Sequence, residues 1–177
     1  MVWPAGGTRP VVSTLNDPTG TVVANAAIVP SGTGTIAFYP NNNSTDLIVD
    51  TNGYFGPPAQ GGLSFYSLTP CRVYDSRSNN GQPFHGTKQI NVVGSQCGPP
   101  ATAQGYVFNA TVVPQPRLGY LTLWPDPQQM PTVSTLNAYD GFVTSNMAIV
   151  PNINGTTDAF ASNLTHLIMD ISGYFAP

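Results

Sequence analysis

The first 55 residues of this chain are written a second time at its end. Trp3-Pro4 returns as Trp124-Pro125, and Val12-Ser13-Thr14-Leu15-Asn16 returns as Val133-Ser134-Thr135-Leu136-Asn137. Asn25, followed by Ala27-Ile28-Val29-Pro30, returns as Asn146 followed by Ala148-Ile149-Val150-Pro151. Leu47-Ile48-Val49-Asp50 and Gly53-Tyr54-Phe55 return as Leu167-Ile168-Met169-Asp170 and Gly173-Tyr174-Phe175. The offset is 121 residues (124 − 3) and becomes 120 (170 − 50) after a one-residue deletion. Residues 56–123 have no counterpart, so the order is unit B1 (1–55), a joint (56–62), insert A (63–123) and unit B2 (124–177). Repeated units normally stack to share a core that one unit cannot bury alone. Insert A and unit B2 therefore read as one full module, preceded by the later half of another.

The pattern inside these units is β. Gly34-Thr35-Ile36-Ala37-Phe38-Tyr39, Gln104-Gly105-Tyr106-Val107-Phe108 and Gly119-Tyr120-Leu121-Thr122-Leu123-Trp124 are short runs rich in β-branched and aromatic residues, bounded by Gly, Pro or Asn. No window sustains a helical apolar period, and 18 Gly with 18 Pro make long helices improbable. The joint, Gly56-Pro57-Pro58-Ala59-Gln60-Gly61-Gly62, offers nothing to a core and has two prolines to stop a strand. A weaker repeat, Asn-x-x-[Ile/Val]-Val-Pro, occurs at Asn25–Pro30, Asn109–Pro114 and Asn146–Pro151, each followed by a turn and Gly34, Gly119 or Gly155. It predicts a strand–turn–strand hairpin used three times. The expected class is all-β, with antiparallel sandwich or jelly-roll-like modules built from repeated hairpins. The repeated Asn25, Asn109 and Asn146 are expected to satisfy backbone groups at strand ends or bulges, with ligand binding as the alternative.

Charge narrows the function classes. Only 7% of residues are Asp, Glu, Lys or Arg, against about 25% in an average soluble domain. Lys88 is the single lysine, and the net charge is −3, so a nucleic-acid partner, which needs clustered Lys or Arg, is not expected. No run approaches the roughly 18 apolar residues of a membrane span. Met1-Val2-Trp3 has neither the basic start nor the apolar stretch of a signal peptide, and the N-terminus is expected to be either a processed or an introduced one. A surface kept polar by Asn, Thr, Ser and Gln suits secreted, surface-attached or fibre-forming β proteins. Cys71 and Cys97 fit an extracytoplasmic disulfide closing a segment of 26 residues (97 − 71), the alternative being two buried thiols.

From Tyr66 to Phe175 the chain resembles a repeat module found in large secreted proteins of actinobacteria, acidobacteria and related soil bacteria. The residues that carry the resemblance begin with Leu68-Thr69-Pro70-Cys71-Arg72-Val73-Tyr74-Asp75-Ser76-Arg77. Asn109-Ala110-Thr111-Val112-Val113, Gly119-Tyr120-Leu121-Thr122-Leu123-Trp124-Pro125 and Val133-Ser134-Thr135-Leu136-Asn137 follow. His166-Leu167-Ile168-Met169-Asp170 and Gly173-Tyr174-Phe175 complete the pattern. Residues 1–55 match only the later half of the same module. The resemblance implies an extracellular β-rich unit, often tandem and appended to other secreted domains, with no established activity. The cysteine pair departs from the commoner pattern, so its role is not inherited.

Few residues point to chemistry. Arg72, Asp75 and Arg77 form the most polar cluster, and an ion pair fixing the module's first strand is expected rather than a ligand-facing pair. Asp50 and Asp170 precede the two Gly-Tyr-Phe ends; a hard cation needs six or more oxygens from close carboxylates, so capping a turn is the expected role. His85 and His166 lie in no metal-spaced motif, and no nucleophile elbow, zincin or phosphate-loop motif is present. Neither an enzyme nor a cofactor is expected. Trp3, Trp124, Tyr54 and Tyr174 are repeated and read as core. The unrepeated Tyr66, Tyr74, Phe84 and Tyr139 are the candidates for stacking on sugar rings. Asn42, Asn43, Asn109, Asn154 and Asn163 stand in Asn-x-Ser/Thr sequences. The preferred expectation is an extracellular, non-enzymatic structural protein that self-associates through β-edges into a filament or surface layer, with B1 completed by another unit. The alternative is a monomeric carbohydrate-binding or adhesion module.

Overall fold

The computed structural model describes residues 1–177 apart from Gly32, Asn42, Asn43, Pro58, Gln60, Asn79 and Asn80, so two of the Asn-x-Ser/Thr sites and two residues of the joint lie outside the described residues. Among the described residues there is no α-helix, and nine strands form. They are β1 (Val2–Pro4), β2 (Ile36–Phe38), β3 (Ser64–Asp75), β4 (Phe84–Asn91), β5 (Gly105–Pro114), β6 (Leu118–Pro125), β7 (Leu136–Ala138), β8 (Thr144–Pro151) and β9 (Thr156–Ala176).

The spine is β9, 21 residues long and paired with four other strands. Successive residues of a strand turn their backbone groups to opposite edges, so the two ladders can be separated by parity. Leu167 and Gly155 accept from Ser76 N and Val92 N on one edge, while Leu164 and Thr156 accept from Gln115 N and Asp126 N on the other. Hence β3 and then β4 run along one edge, and β5 and then β6 along the other. β8 adds outside β5 and β7 outside β6, giving one continuous antiparallel sheet of seven strands.

Alternation decides what this sheet encloses. Tyr106, Phe108, Ala110 and Val112 of β5 point into a single core with Ala148 and Val150 of β8 and Leu167, Met169 and Ile171 of β9. Leu121, Leu123 and Leu136 close it from β6 and β7. The two outer strands approach each other: Asn146 Nδ2 on β8 donates to Thr135 O, next to β7, at 2.7 Å. The sheet is thus curled into a nearly closed barrel, and the all-β antiparallel expectation holds.

The expected hairpins do not form. β5 and β6 each pair with β9, and β8 pairs with β5, so the strands flanking these turns are not partners. Each turn carries the chain onward instead of back on itself. At the β8–β9 corner Asn152 shows why: its N–H donates to Gln104 O (2.8 Å), its Nδ2 to Ala103 O (2.5 Å), and its Oδ1 accepts from Gly155 N (2.7 Å). With Gly155 at φ 86°, a conformation open mainly to glycine, the chain turns from the β5 side of the core onto the β4–β6 side. Cys71 and Cys97 are disulfide-bonded with Cα atoms 5.6 Å apart, tying β3 to the loop after β4.

Candidate functional site

The same sequence has two structural outcomes in this molecule, and the difference marks the candidate site. Part of the first copy repeats the second bond for bond. β1 pairs with β2 as Val2↔Phe38, Trp3↔Ala37 and Pro4↔Ile36. Adding 121 to each number gives the β6–β9 register, Leu123↔Ala159, Trp124↔Asp158 and Pro125↔Thr157. Trp3 Nε1 donates to Gly7 O at 3.1 Å, as Trp124 Nε1 does to Gln128 O at 2.9 Å. Val2 N donates to Thr14 Oγ1 at 3.1 Å, as Leu123 N does to Thr135 Oγ1 at 3.0 Å. Asn25 Nδ2 donates to Thr14 O at 2.6 Å, matching the Asn146–Thr135 bond. All of these partners lie within the unit itself, so no insert is needed to make them.

The rest of the first copy lacks a partner. In the second copy β8 and the C-terminal half of β9 do not pair with each other; β5 of insert A lies between them. Tyr106 faces Val150 on one side and Tyr174 on the other, and Phe108 faces Ala148 and Ile171. The equivalent segments of the first copy, around residues 23–30 and 45–56, form no strand. Leu167, Ile168 and Met169 are 0%, 6% and 0% exposed, whereas Leu47, Ile48 and Val49 are 56%, 85% and 52% exposed. Tyr174 stacks on Tyr66 with centroids 5.2 Å apart, while Tyr54 is 93% exposed. The first copy touches the second lightly, through Ala26 N on Asn146 Oδ1 (3.1 Å), Asn52 Nδ2 on Ile149 O (3.4 Å) and the rings of Phe55 and Phe175 (5.8 Å).

Unpaired sheet edges adjoin this region. β8 pairs only with β5, and Asn152 N on Gln104 O sets its even-numbered residues toward β5. Ser145, Met147 and Ile149 therefore turn their backbone groups outward, where Ile149 O already meets Asn52 Nδ2 and no strand pairs with them. β3 and β4 pair only with β9. Lys88 lies on β4 and guards that edge, whereas β8 and residues Ser64–Thr69 of β3 carry no charge.

The polar cluster is a closed ion-pair network. Asp75 accepts from Arg77 N (3.0 Å), Nε (2.9 Å) and Nη2 (2.8 Å) and from Arg72 Nη1 (2.9 Å), and Arg72 also binds Asp170 through Nε. The Arg77 guanidinium, with Arg72 beside it, holds the Asp75 carboxyl well below the usual carboxylate range. Asp170 binds Arg72 from within β9, so it caps no turn; Asp50, its counterpart, has no ion pair or hydrogen bond among the described residues. Asn109 departs from its two relatives: it is exposed, and its Nδ2 reaches only Thr111 Oγ1 at 3.4 Å. The sugar-stacking candidates share no platform. Tyr66 is covered on one face by Tyr174, Phe84 packs on the core, Tyr74 lines a shallow groove with Arg72 and Asp75, and Tyr139 lies in a separate cleft with Arg117 and Tyr120. His85 is exposed, and His166 Nδ1 lies 3.1 Å from Ser76 Oγ.

Three positions that hold β3 against β9 were not singled out from the sequence. Ser76 Oγ accepts from Leu167 N at 2.9 Å and closes the β3–β9 ladder. Phe65 packs on Phe175 at 5.3 Å. Gly173 lies where an added Cβ would come within 2.5 Å of Phe65 Cε2 and 2.7 Å of Tyr66 O. Its presence in both copies was the available signal.

The chain matches no protein-family model, no curated protein and no solved structure.

Proposed function

We propose that this chain is a non-enzymatic extracellular structural protein that associates through β-edges into a filament or surface layer, with residues 1–55 completed by another unit. The carrying observation is the contrast between the copies: Leu47, Ile48 and Val49 lie open where Leu167, Ile168 and Met169 are buried. A fully buried aliphatic side chain contributes about 1.5–3 kcal/mol relative to an exposed one. The first copy therefore holds a favourable free energy of association that its own chain does not realise. Uncharged, unpaired edges at β8 and the start of β3 supply ladder groups for strand addition, and the near absence of lysine leaves them unguarded. A head-to-tail contact of this kind grows an open assembly when its rotation does not close a ring. The disulfide and the resemblance to tandem secreted modules support an extracytoplasmic location.

Negative-stain microscopy of the purified chain across concentration and ionic strength tests this reading. Regular fibres or sheets are expected. Uniform monomers under every condition would refute it.

A further inference from the structure

We infer that the open half of the first copy is a docking site for one kind of partner, an insert-A-type segment that no unit B of its own has claimed. This rests on the reading that the first copy is completed by another unit, and it names what that unit supplies. The second copy shows the occupant directly. Its two separated segments hold β5 between them, and β3 covers the far edge of β9. In the first copy the frame that positions those segments is already built, with the β1–β2 register and the Asn25 bond in place. The middle strand and the covering strand are missing.

Residues kept in the first copy have no purpose within it and a clear one in the second. Gly173 is required because β3 presses on it. Gly53, its equivalent, has no atom within 4 Å of an added Cβ. Asp170 binds Arg72 of insert A, while Asp50 waits unpaired on the surface. Tyr174 and Phe175 pack on Tyr66 and Phe65 of insert A; Tyr54 is solvent-exposed, and Phe55 has only the edge of Phe175. The partner therefore carries an adjacent Phe-Tyr-like aromatic pair, an arginine about six residues later, and a strand alternating large apolar residues. Its arginine meets Asp50, its aromatics meet Tyr54 and Phe55, and its backbone passes over Gly53.

Counting decides where the segment comes from. Residues 1–177 hold two B units and one insert A. Both edges of β5 are occupied by β8 and β9. A second copy could lend its insert A only by opening its own B2, leaving the number of open units unchanged. The occupant is thus an insert-A-type segment outside residues 56–123 of this chain or its copies, and assembly of the purified chain runs through the β8 and β3 edges with residues 1–55 left open.

The test uses the full chain and a version carrying an extra copy of residues 57–121 ahead of Met1, which restores the spacing of insert A to B2. Hydrogen exchange read by mass spectrometry is expected to slow about a hundredfold or more at residues 47–55 in the extended chain. Gly53→Val and Asp50→Arg in the extended chain should each reverse much of that protection. In the unextended chain the same substitutions should leave exchange across residues 63–177 unchanged, which shows that the fold survives them. No protection in the extended chain, or protection indifferent to both substitutions, overturns the inference. Protection that appears in the unextended chain and grows with its concentration also overturns it, since a second copy would then be the occupant and self-association alone would stand. Protection in the extended chain with no fibres from either protein upholds the docking site and refutes only the assembly proposed above.

Discussion

Asn25 and Asn146 make the same bond with nearly the same geometry, 2.6 Å to Thr14 O and 2.7 Å to Thr135 O, yet their removal should have different consequences. Asn146 is buried, and its Oδ1 also accepts from Ala26 N at 3.1 Å. Asn146→Ala deprives Thr135 O of its donor in a site largely closed to water, where an unsatisfied carbonyl costs about 1–3 kcal/mol. It also unfastens β8 from the segment leading into β7, the contact that draws the sheet toward closure. We expect a loss of about 2–3 kcal/mol, the upper part of that range. Asn25 is exposed, so water replaces its amide, and Asn25→Ala should lie within about 0.5 kcal/mol of the parent. Urea unfolding followed by tryptophan fluorescence reads both. With a urea dependence of about 1–3 kcal/mol per molar, the buried substitution should lower the midpoint by on the order of 1 M without changing the slope. Equal losses for the two variants would show that burial is not what gives the bond its value.

The remaining predictions address other parts of the fold. Replacing Cys71 and Cys97 together with Ser opens a 26-residue loop and should cost about 3 kcal/mol in the loop-entropy account, measurable as a lower urea midpoint. Gly173→Ala drives a Cβ into Phe65 and the Tyr66 carbonyl and should cost about 1–3 kcal/mol, whereas Gly53→Ala should be neutral in the free chain; equal effects would count against the close approach of β3. Asp75 and Asp158 should give opposite pH responses. Asp75 is held low by Arg77, so its stabilisation is present above the ordinary carboxylate pKa of about 3.9 and is lost as pH falls toward its native value. Asp75→Asn should therefore flatten the acid side of the stability profile. Asp158 is pushed up by burial, with Asp126 adding to the effect, so its stabilising share is present below the ordinary value and lost as pH rises through its folded value. Asp158→Asn should raise stability at pH 7, read from the melting temperature of the two proteins side by side.

What the sequence disclosed depended on how far apart the interacting residues lie. Runs of β-branched and aromatic residues bounded by Gly, Pro or Asn identified β5 and β6 as strands, and the repeated Asn-x-x-[Ile/Val]-Val-Pro pattern did so for β8, because such composition is a local property. The cysteine pair could be read because redox context and spacing bear on it directly. The hairpins could not be read correctly, because a turn says that the chain changes direction without saying whether the next strand returns to its neighbour. At the β8–β9 corner the onward path is held by Asn152, which anchors the turn to Gln104 and Ala103, some 48 residues (152 − 104) earlier. Asp170 was misread for the same reason: its arginine is 98 residues away.

The two copies make this argument within one molecule. Trp3 and Trp124, Asn25 and Asn146, and the β1–β2 and β6–β9 registers agree because each bond closes within one unit. Leu47-Ile48-Val49-Asp50 and Leu167-Ile168-Met169-Asp170 differ by a single residue in sequence, yet one segment is a buried strand and the other is exposed and unpaired. Intrinsic β-propensity is therefore not what orders the segment, in keeping with propensity being chiefly a measure of fit to a pleated, half-buried surface. Insert A supplies that surface: β5 offers the ladder on one edge, β3 the ladder and Arg72 on the other. A strand whose order depends on a neighbour's backbone is a receptor for that backbone, and Gly53, Asp50 and Tyr54 keep the shape, charge and ring surface such a neighbour would meet.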